Sequence, residues 1–307
     1  MYLPRTVRRY YQYLSYRKRY NIATVKGHRN RLSVFQQFIH KQSPVYVTPR
    51  QVERFFNYLT YSGKSERTYN NYVGTLSNFY TWLVLKGHRK SSPIIDICRV
   101  KEPEPLPTFF TKDELKKIIY TPYPYLRDRH HKNTRDKLLY LLLATTGLRI
   151  SEAIHLNWGD IDFKNGYLIV RQGKGKRDRI VPMVNEVLYL LSNWKRQGGW
   201  VKQPKNPVFR NPQHKPRGKV RIKTGTIDDQ LHRHLAYCDI HKKAGCHAFR
   251  HSFATQMLTS GVDPQTLATL AGWKSLRMLS VYVHLDVDHL KEAVNKHPLN
   301  HTAPFMV

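Results

Sequence analysis

Apolar residues recur at helical spacing along most of the chain, and the residues between the runs punctuate them into elements. Two basic, helix-patterned stretches come first, at about residues 6–19 and 22–40. Thr48-Pro49-Arg50-Gln51 then reads as a capping box with proline at the first helical position, opening a helix that runs to about Leu59. Ser65 opens the next, with Tyr72, Leu76, Phe79, Tyr80 and Leu83 at helical spacing and Gly87 as the stop. Four helices with short turns predict a small all-α unit. In Glu102-Pro103-Glu104-Pro105-Leu106-Pro107 the alternating prolines forbid helix and favour extended chain. The predicted division is therefore a first domain over residues 1–100, a linker over 101–108 and a second domain over 109–307.

The second domain opens on another capping box, Thr111-Lys112-Asp113-Glu114. A strongly apolar helix follows from about Arg135 to Thr146 and stops at Gly147. Here the pattern changes. Asn165-Gly166, flanked by Ile161-Asp162-Phe163 and Tyr167-Leu168-Ile169-Val170, is a hairpin signal. A third strand, about Arg179 to Met183, follows the turn Gly173-Lys174-Gly175-Lys176. The remainder reads as helical, with Asp263-Pro264 opening one helix and a last one from about Asp286 to Lys296. The expected fold class is mainly α with a small antiparallel β-sheet, an α+β chain led by an N-terminal helical bundle.

Composition narrows the function. Hydrophobic residues make up 40% of the chain, enough for real cores. Lys and Arg number 52 against 21 Asp and Glu, a formal net charge of +31. Such an excess repels itself unless a polyanion is near, and nucleic acid is the natural partner. The basic residues interleave with aromatics, as in Arg8-Arg9-Tyr10-Tyr11, which suits folded basic surface rather than a tail. The basic start lacks the apolar run of a signal peptide, and the longest apolar stretch, Leu138 to Ala144, is too short to span a bilayer. Three widely spaced cysteines suggest no disulfide framework, so a cytoplasmic, nucleoid-associated protein is expected. His232, His234, Cys238, His241, Cys246, His247 and His251 cluster without zinc-site spacing, and no metal or cofactor is expected.

Individual candidates are ambiguous. Arg149 follows the glycine stop of a buried helix, which places it rigidly, but a surface Arg paired with Glu152 would look the same. Lys174 sits in a glycine-flanked hairpin tip that, with Lys176, Arg177 and Arg179, is suited to a DNA groove, or is a solvated basic turn. His247 and Arg250 lie three apart on one helix face, where a lone His is usually structural. Tyr282 is one tyrosine among 20.

Taken together and in order, these residues resemble the tyrosine recombinase or phage integrase family, closest to its compact Xer-type members. The matching segments are Thr146-Gly147-Leu148-Arg149-Ile150-Ser151-Glu152-Ala153, Gly173-Lys174-Gly175-Lys176-Arg177, His247-Ala248-Phe249-Arg250-His251, Leu270-Ala271-Gly272-Trp273 and Tyr282-Val283-His284-Leu285. The resemblance implies a core-binding domain followed by a catalytic domain. It makes Arg149 and Arg250 the catalytic arginines, Lys174 the hairpin lysine, His247 the partner of Arg250, and Tyr282 the nucleophile. Trp273 takes the His-or-Trp position; its indole N–H can donate to a phosphate oxygen but cannot shuttle a proton, which leaves acid–base work to Lys174 and His247.

The implied activity is cleavage and rejoining of double-stranded DNA at inverted-repeat sites, through a 3′-phosphotyrosyl intermediate and a Holliday junction. The role would be chromosome-dimer resolution or integration and excision of a mobile element. A homotetramer on DNA is implied, with a paralogous recombinase or accessory proteins as further partners and no membrane. Val287, Leu290 and Val294 form an apolar stripe on the last helix, which the resemblance docks on a neighbouring protomer. A type IB topoisomerase-like strand transferase shares the chemistry but typically lacks the His at position 247. A non-catalytic DNA-binding regulator accounts for the charge but not for the ordered residues.

The net charge carries a prediction. Log affinity for duplex DNA should fall linearly with log salt, with a slope of roughly −0.9 per phosphate contacted, measured by titration at several salt concentrations. A total slope of only about one or two would contradict an extensive phosphate-binding surface.

Overall fold

The computed structural model describes residues 5–40, 42–103, 107–122, 129–171, 178–197, 203–210, 221–273 and 275. The chain forms two compact units, Met1–Pro105 and Leu106–Val307.

In the first unit, α1 (Arg5–Gln12), α2 (Ile22–Phe38), α3 (Pro49–Tyr61) and α4 (Glu66–Leu85) follow in order. Their starts are written locally. Asn21 accepts from the Thr24 amide at 2.7 Å, Thr48 and Gln51 cap each other's backbone, and Ser65 accepts from Thr68. The helix expected over 6–19 is shorter than its pattern. After Gln12 it widens into a π-helical turn, Tyr13–Arg17, in which the Lys18 amide reaches back to Tyr13 O at 3.0 Å. With no glycine stop available there, Arg19 itself turns the chain at φ +50°.

This unit is held by rings. Tyr10, Phe55, Phe79 and Tyr80 are fully buried, and Tyr10 meets Phe79 edge-on with centroids 5.0 Å apart. Phe35 meets Phe55 likewise at 4.9 Å. Each such ring removes about 150–250 Å² from water, which lets a unit of roughly a hundred residues hold a core. The chain leaving α4 is tied back to it. Asn70 donates to Val100 O at 2.8 Å and to Glu102 at 2.8 Å, and accepts from the Val100 amide at 2.9 Å.

The second unit is built on α6 (Arg129–Thr146), whose Leu138, Leu139, Leu142 and Leu143 are fully buried. It packs against α5 (Lys112–Tyr120), α8 (Asn185–Gln197) and α10 (His247–Thr259). Among the described residues, the short helix α7 (Ile150–His155), α9 (Thr224–Tyr237) and α11 (Pro264–Ala271) complete the helical frame. Inside it, Ser252 of α10 accepts from the Phe110 amide at 2.7 Å and donates to Ala248 O at 2.9 Å, so a buried hydroxyl joins the start of the unit to α10.

A three-stranded antiparallel sheet lies beside the helices: β1 (Ile161–Asp162), β2 (Tyr167–Val170) and β3 (Arg179–Pro182), in that spatial order. The register pairs Leu168 with Val181 and Val170 with Arg179, placing all four on the inner face. The first hairpin differs in detail from a two-residue Asn-Gly turn. Asp162 pairs with Tyr167, leaving four residues in the turn, because the Asp162 carboxylate accepts from both the backbone and the side chain of Asn165. Only Gly166 takes positive φ there. The hairpin tip bearing Lys174 and the expected helix from Asp286 to Lys296 lie outside the described residues.

Gly147 ends α6 at φ +61°, and a Cβ on it would lie 2.3 Å from Cδ1 of Phe253. Gly147→Ala should therefore add left-handed strain to overpacking, a loss of about 2–5 kcal/mol in the urea unfolding free energy. A change below about 1 kcal/mol would show that the corner relaxes freely.

Candidate active site

The corner at Gly147 delivers the first candidate. Arg149 follows two residues later as the N-cap of α7, and Glu152 reaches back to it one turn on. One Glu152 oxygen accepts from the Arg149 amide at 2.9 Å, the other from its guanidinium Nη1 at 2.9 Å. The Arg149 side chain stays 29% exposed while Glu152 is only 9% exposed. The pairing with Glu152 and a functional role for Arg149 are thus not alternatives: the carboxylate aims a guanidinium that still faces solvent.

Arg179 comes to the same carboxylate from β3. Its Nη1 and Nη2 donate to the two Glu152 oxygens at 3.2 and 2.9 Å. Burial alone would raise the Glu152 pKa; the Arg179 hydrogen bonds, the Arg149 amide and the charges of both arginines outweigh it and hold the carboxyl at about 2. The carboxylate is ionised at any physiological pH.

α10 supplies the other half. His247 is its first residue and is exposed, while Arg250, one turn later, is 3% exposed. The Arg250 guanidinium donates to Gly147 O at 2.6 Å and to Ala271 O at 2.7 Å, and lies 5.2 Å from the Trp273 ring centroid. Gly272, left-handed at φ +66°, ends α11 and turns the chain to Trp273. His251 stands edge-on to His247, ring centroids 4.9 Å apart. Desolvation, then the charges of Arg250 and Arg149, lower the His247 pKa below 6.5; desolvation, then His247 and Arg250, lower that of His251 to about 4. Both rings are neutral at neutral pH, so His247 can accept a proton.

Four of the six expected site residues, Arg149, His247, Arg250 and Trp273, are therefore brought together around one corner. Lys174 and Tyr282 lie outside the described residues. The His and Cys residues clustered in sequence separate into local pairs instead: His234 bonds Ile118 O and nears Cys238 Sγ at 3.8 Å, His241 pairs with Asp239, and His247 faces His251. Glu152, Arg179 and His251 were not among the expected site residues. For Arg179 a signal existed: strand alternation puts it on the face of the buried Val181, while its neighbour Ile180 is 60% exposed. It is not available to a groove as the basic-hairpin reading had it.

Comparisons with known proteins place the chain in a family. Residues 108–289 match the phage integrase family, and residues 7–87 match the phage integrase N-terminal SAM-like domain. The chain is 31% identical over 284 residues to the tyrosine recombinase XerC of Thermodesulfovibrio yellowstonii, covering 90% of this chain and 91% of the relative. It is 32% identical over 272 residues to the tyrosine recombinase XerA of Pyrococcus furiosus, covering 87% and 88%. Among solved structures, the XerH site-specific recombinase bound to a palindromic difH substrate in a post-cleavage complex has a TM-score of 0.71 at 21% identity, over 90% of this chain and 80% of that one. A lambda integrase dimer bound to a COC' core site gives 0.70 at 19% identity, over 92% and 95%. At these identities the two structures bear on the fold.

The depressed His251 pKa has a consequence for stability. Between about 4 and the ordinary 6.5, the unfolded chain binds a proton there that the folded chain does not. The contribution is complete above 6.5 and is lost as pH falls toward 4. The urea midpoint should drop on acidification from pH 6.5 to 5, and His251→Gln should flatten that slope. Glu152, held at about 2 when folded, adds a loss of the same sign only toward the lower end of the window, where an unfolded carboxyl near 4.5 begins to bind a proton, and this part is common to both proteins. Equal slopes for the two proteins would remove His251 as the cause.

Proposed function

This chain belongs to the phage integrase family and is a tyrosine site-specific recombinase; from that membership we propose that it cuts and rejoins duplex DNA at the corner where Arg149, His247, Arg250 and Trp273 meet. The observation that carries this reading is that Arg149, held by Glu152, and Arg250, held by the Gly147 carbonyl, lie near enough to His247 for both charges to lower its pKa.

A phosphodiester is anionic and repels an incoming nucleophile. Arg149, aimed by Glu152, and Arg250, anchored by two carbonyls, offset the charge that grows on the non-bridging oxygens. The Trp273 indole N–H is a third donor suited to a phosphate oxygen. Tyr282 attacks the phosphorus through its phenolic oxygen, and His247 takes the phenolic proton. The bond from phosphorus to the 5′ oxygen breaks, and Lys174 protonates the departing oxygen. The products are a 3′-phosphotyrosyl link and a free 5′-hydroxyl. Attack of a 5′-hydroxyl from another strand reverses each step, so the phosphate bond is conserved without ATP.

DNA is the partner. XerH and lambda integrase, which share this fold, were solved on DNA. Pairing of two duplexes, each bound by two protomers, makes the working assembly a homotetramer passing through a Holliday junction. The stripe Val287, Leu290 and Val294 would then join neighbouring protomers head to tail in a closed ring. The domain assignment proposed is core-binding for residues 1–100 and catalytic for 109–307.

The test is covalent trapping. On a nicked duplex whose short cleaved fragment diffuses away, the wild-type chain should accumulate as a protein–DNA adduct on a denaturing gel. Tyr282→Phe should bind the same DNA with unchanged affinity and form no adduct. An adduct persisting in Tyr282→Phe would refute the nucleophile, and wild-type binding without any adduct would favour a non-catalytic DNA-binding protein.

A further inference from the structure

Arg179 is a cation that the fold takes inward. It stands on the inner face of β3, opposite Val170, with its side chain 14% exposed. An apolar residue would fill that position at no cost in desolvation, whereas a buried guanidinium is stable only with good partners. Arg179 has them on two elements besides its own strand. Its fork spans both oxygens of Glu152 at the start of α7, and its Nε donates to Leu270 O at 3.2 Å near the end of α11. The contact with α11 is close-packed: a Cβ on Gly272 would lie 2.9 Å from Cζ, Nε and Nη1 of Arg179.

Each Glu152 oxygen therefore serves two masters. One accepts from Arg149 Nη1 and Arg179 Nη1, the other from the Arg149 amide and Arg179 Nη2. The direction of the Arg149 guanidinium is set by a carboxylate whose own orientation is fixed by Arg179. Ala271, whose carbonyl holds Arg250, and Trp273 flank the glycine packed on the same guanidinium.

We propose that Arg179 is a positioning residue for DNA strand cleavage: by clamping Glu152 it holds Arg149 on the scissile phosphate, and by bearing against Gly272 it sets the chain that carries the Arg250 anchor and Trp273. This rests on the assignment of Arg149 to that phosphate. A planar two-pronged donor is required, because a lysine can engage Glu152 through one point only.

The experiment measures single-turnover cleavage by full-length protein on two nicked duplexes, one ordinary and one with a methylphosphonate at the scissile position. The methylphosphonate is uncharged, so it no longer needs the charge compensation that a correctly aimed Arg149 provides. Arg179→Met should keep its affinity for the binding site and cleave ordinary DNA about 100-fold more slowly, the scale expected for a misplaced catalytic group. On the methylphosphonate most of that deficit should disappear, and Arg179→Lys should fall between. A deficit equal on both duplexes would mean that Arg179 only stabilises the fold, and the proposal fails. Arg149→Ala, run alongside, separates the two levels: if its own deficit is not relieved by the methylphosphonate, the phosphate assignment of Arg149 is wrong and the proposal goes with it. Should Arg179→Met not fold, Gly272→Ala crowds the same guanidinium from the other side. It should show the same substrate-dependent relief, and an equal loss on both duplexes would overturn the proposal.

Discussion

A guanidinium taken out of water must be re-solvated by the protein, and at Arg250 that requirement organises the second unit. Two of its bonds go to carbonyls of residues 103 and 21 positions away, Gly147 and Ala271. Both carbonyls belong to places where a helix has just ended or is ending, so their oxygens are not consumed by the helical ladder. One cation thus pins the end of α6, the end of α11 and its own α10 together. Arg149, His247 and Trp273 each lie within a few residues of one of those pinned points. The site is a by-product of neutralising helix ends around a buried charge.

The same corner shows how stability and function share residues. Gly147 ends α6, accepts from Arg250 and clears Phe253, while Glu152 caps α7 and aims Arg149. Neither can be assigned to structure or to chemistry alone. The electrostatic background supports the arrangement: with 52 basic and 21 acidic residues, each acid placed beside arginines matters, and Glu152 is saturated by two of them.

What the sequence made legible was local. Thr48 with Gln51 and Thr111 with Glu114 wrote their helix starts within four residues, and both capping boxes are present. The apolar run ending at Gly147 and the strands around Asn165-Gly166 were equally readable. Resemblance to a family supplied six candidate site residues, and the four that are described lie around one corner. What stayed hidden depended on distant partners. The inward turn of Arg179 rests on Glu152, 27 positions earlier, and Leu270, 91 later, and no window of sequence contains all three. α7 is six residues long, too short for periodicity to declare, and owes its start to Glu152 reaching back. The π-helical turn at Tyr13–Arg17 has no compositional signature at all.

The clasp that Asn70 makes on Val100 and Glu102 fixes the last described stretch of the first unit to α4. It does not act alone: Arg89 donates to the Val45 and Val47 carbonyls, and Ile94 and Ile97 pack against the same aromatic core. From Glu102, the last group in the clasp, to Phe110, whose amide is fastened to Ser252, is eight residues of sequence. Eight residues fully extended span at most about 28 Å. A side chain near the start of α4 thereby fixes where the first unit's chain ends, independently of where its last helix does.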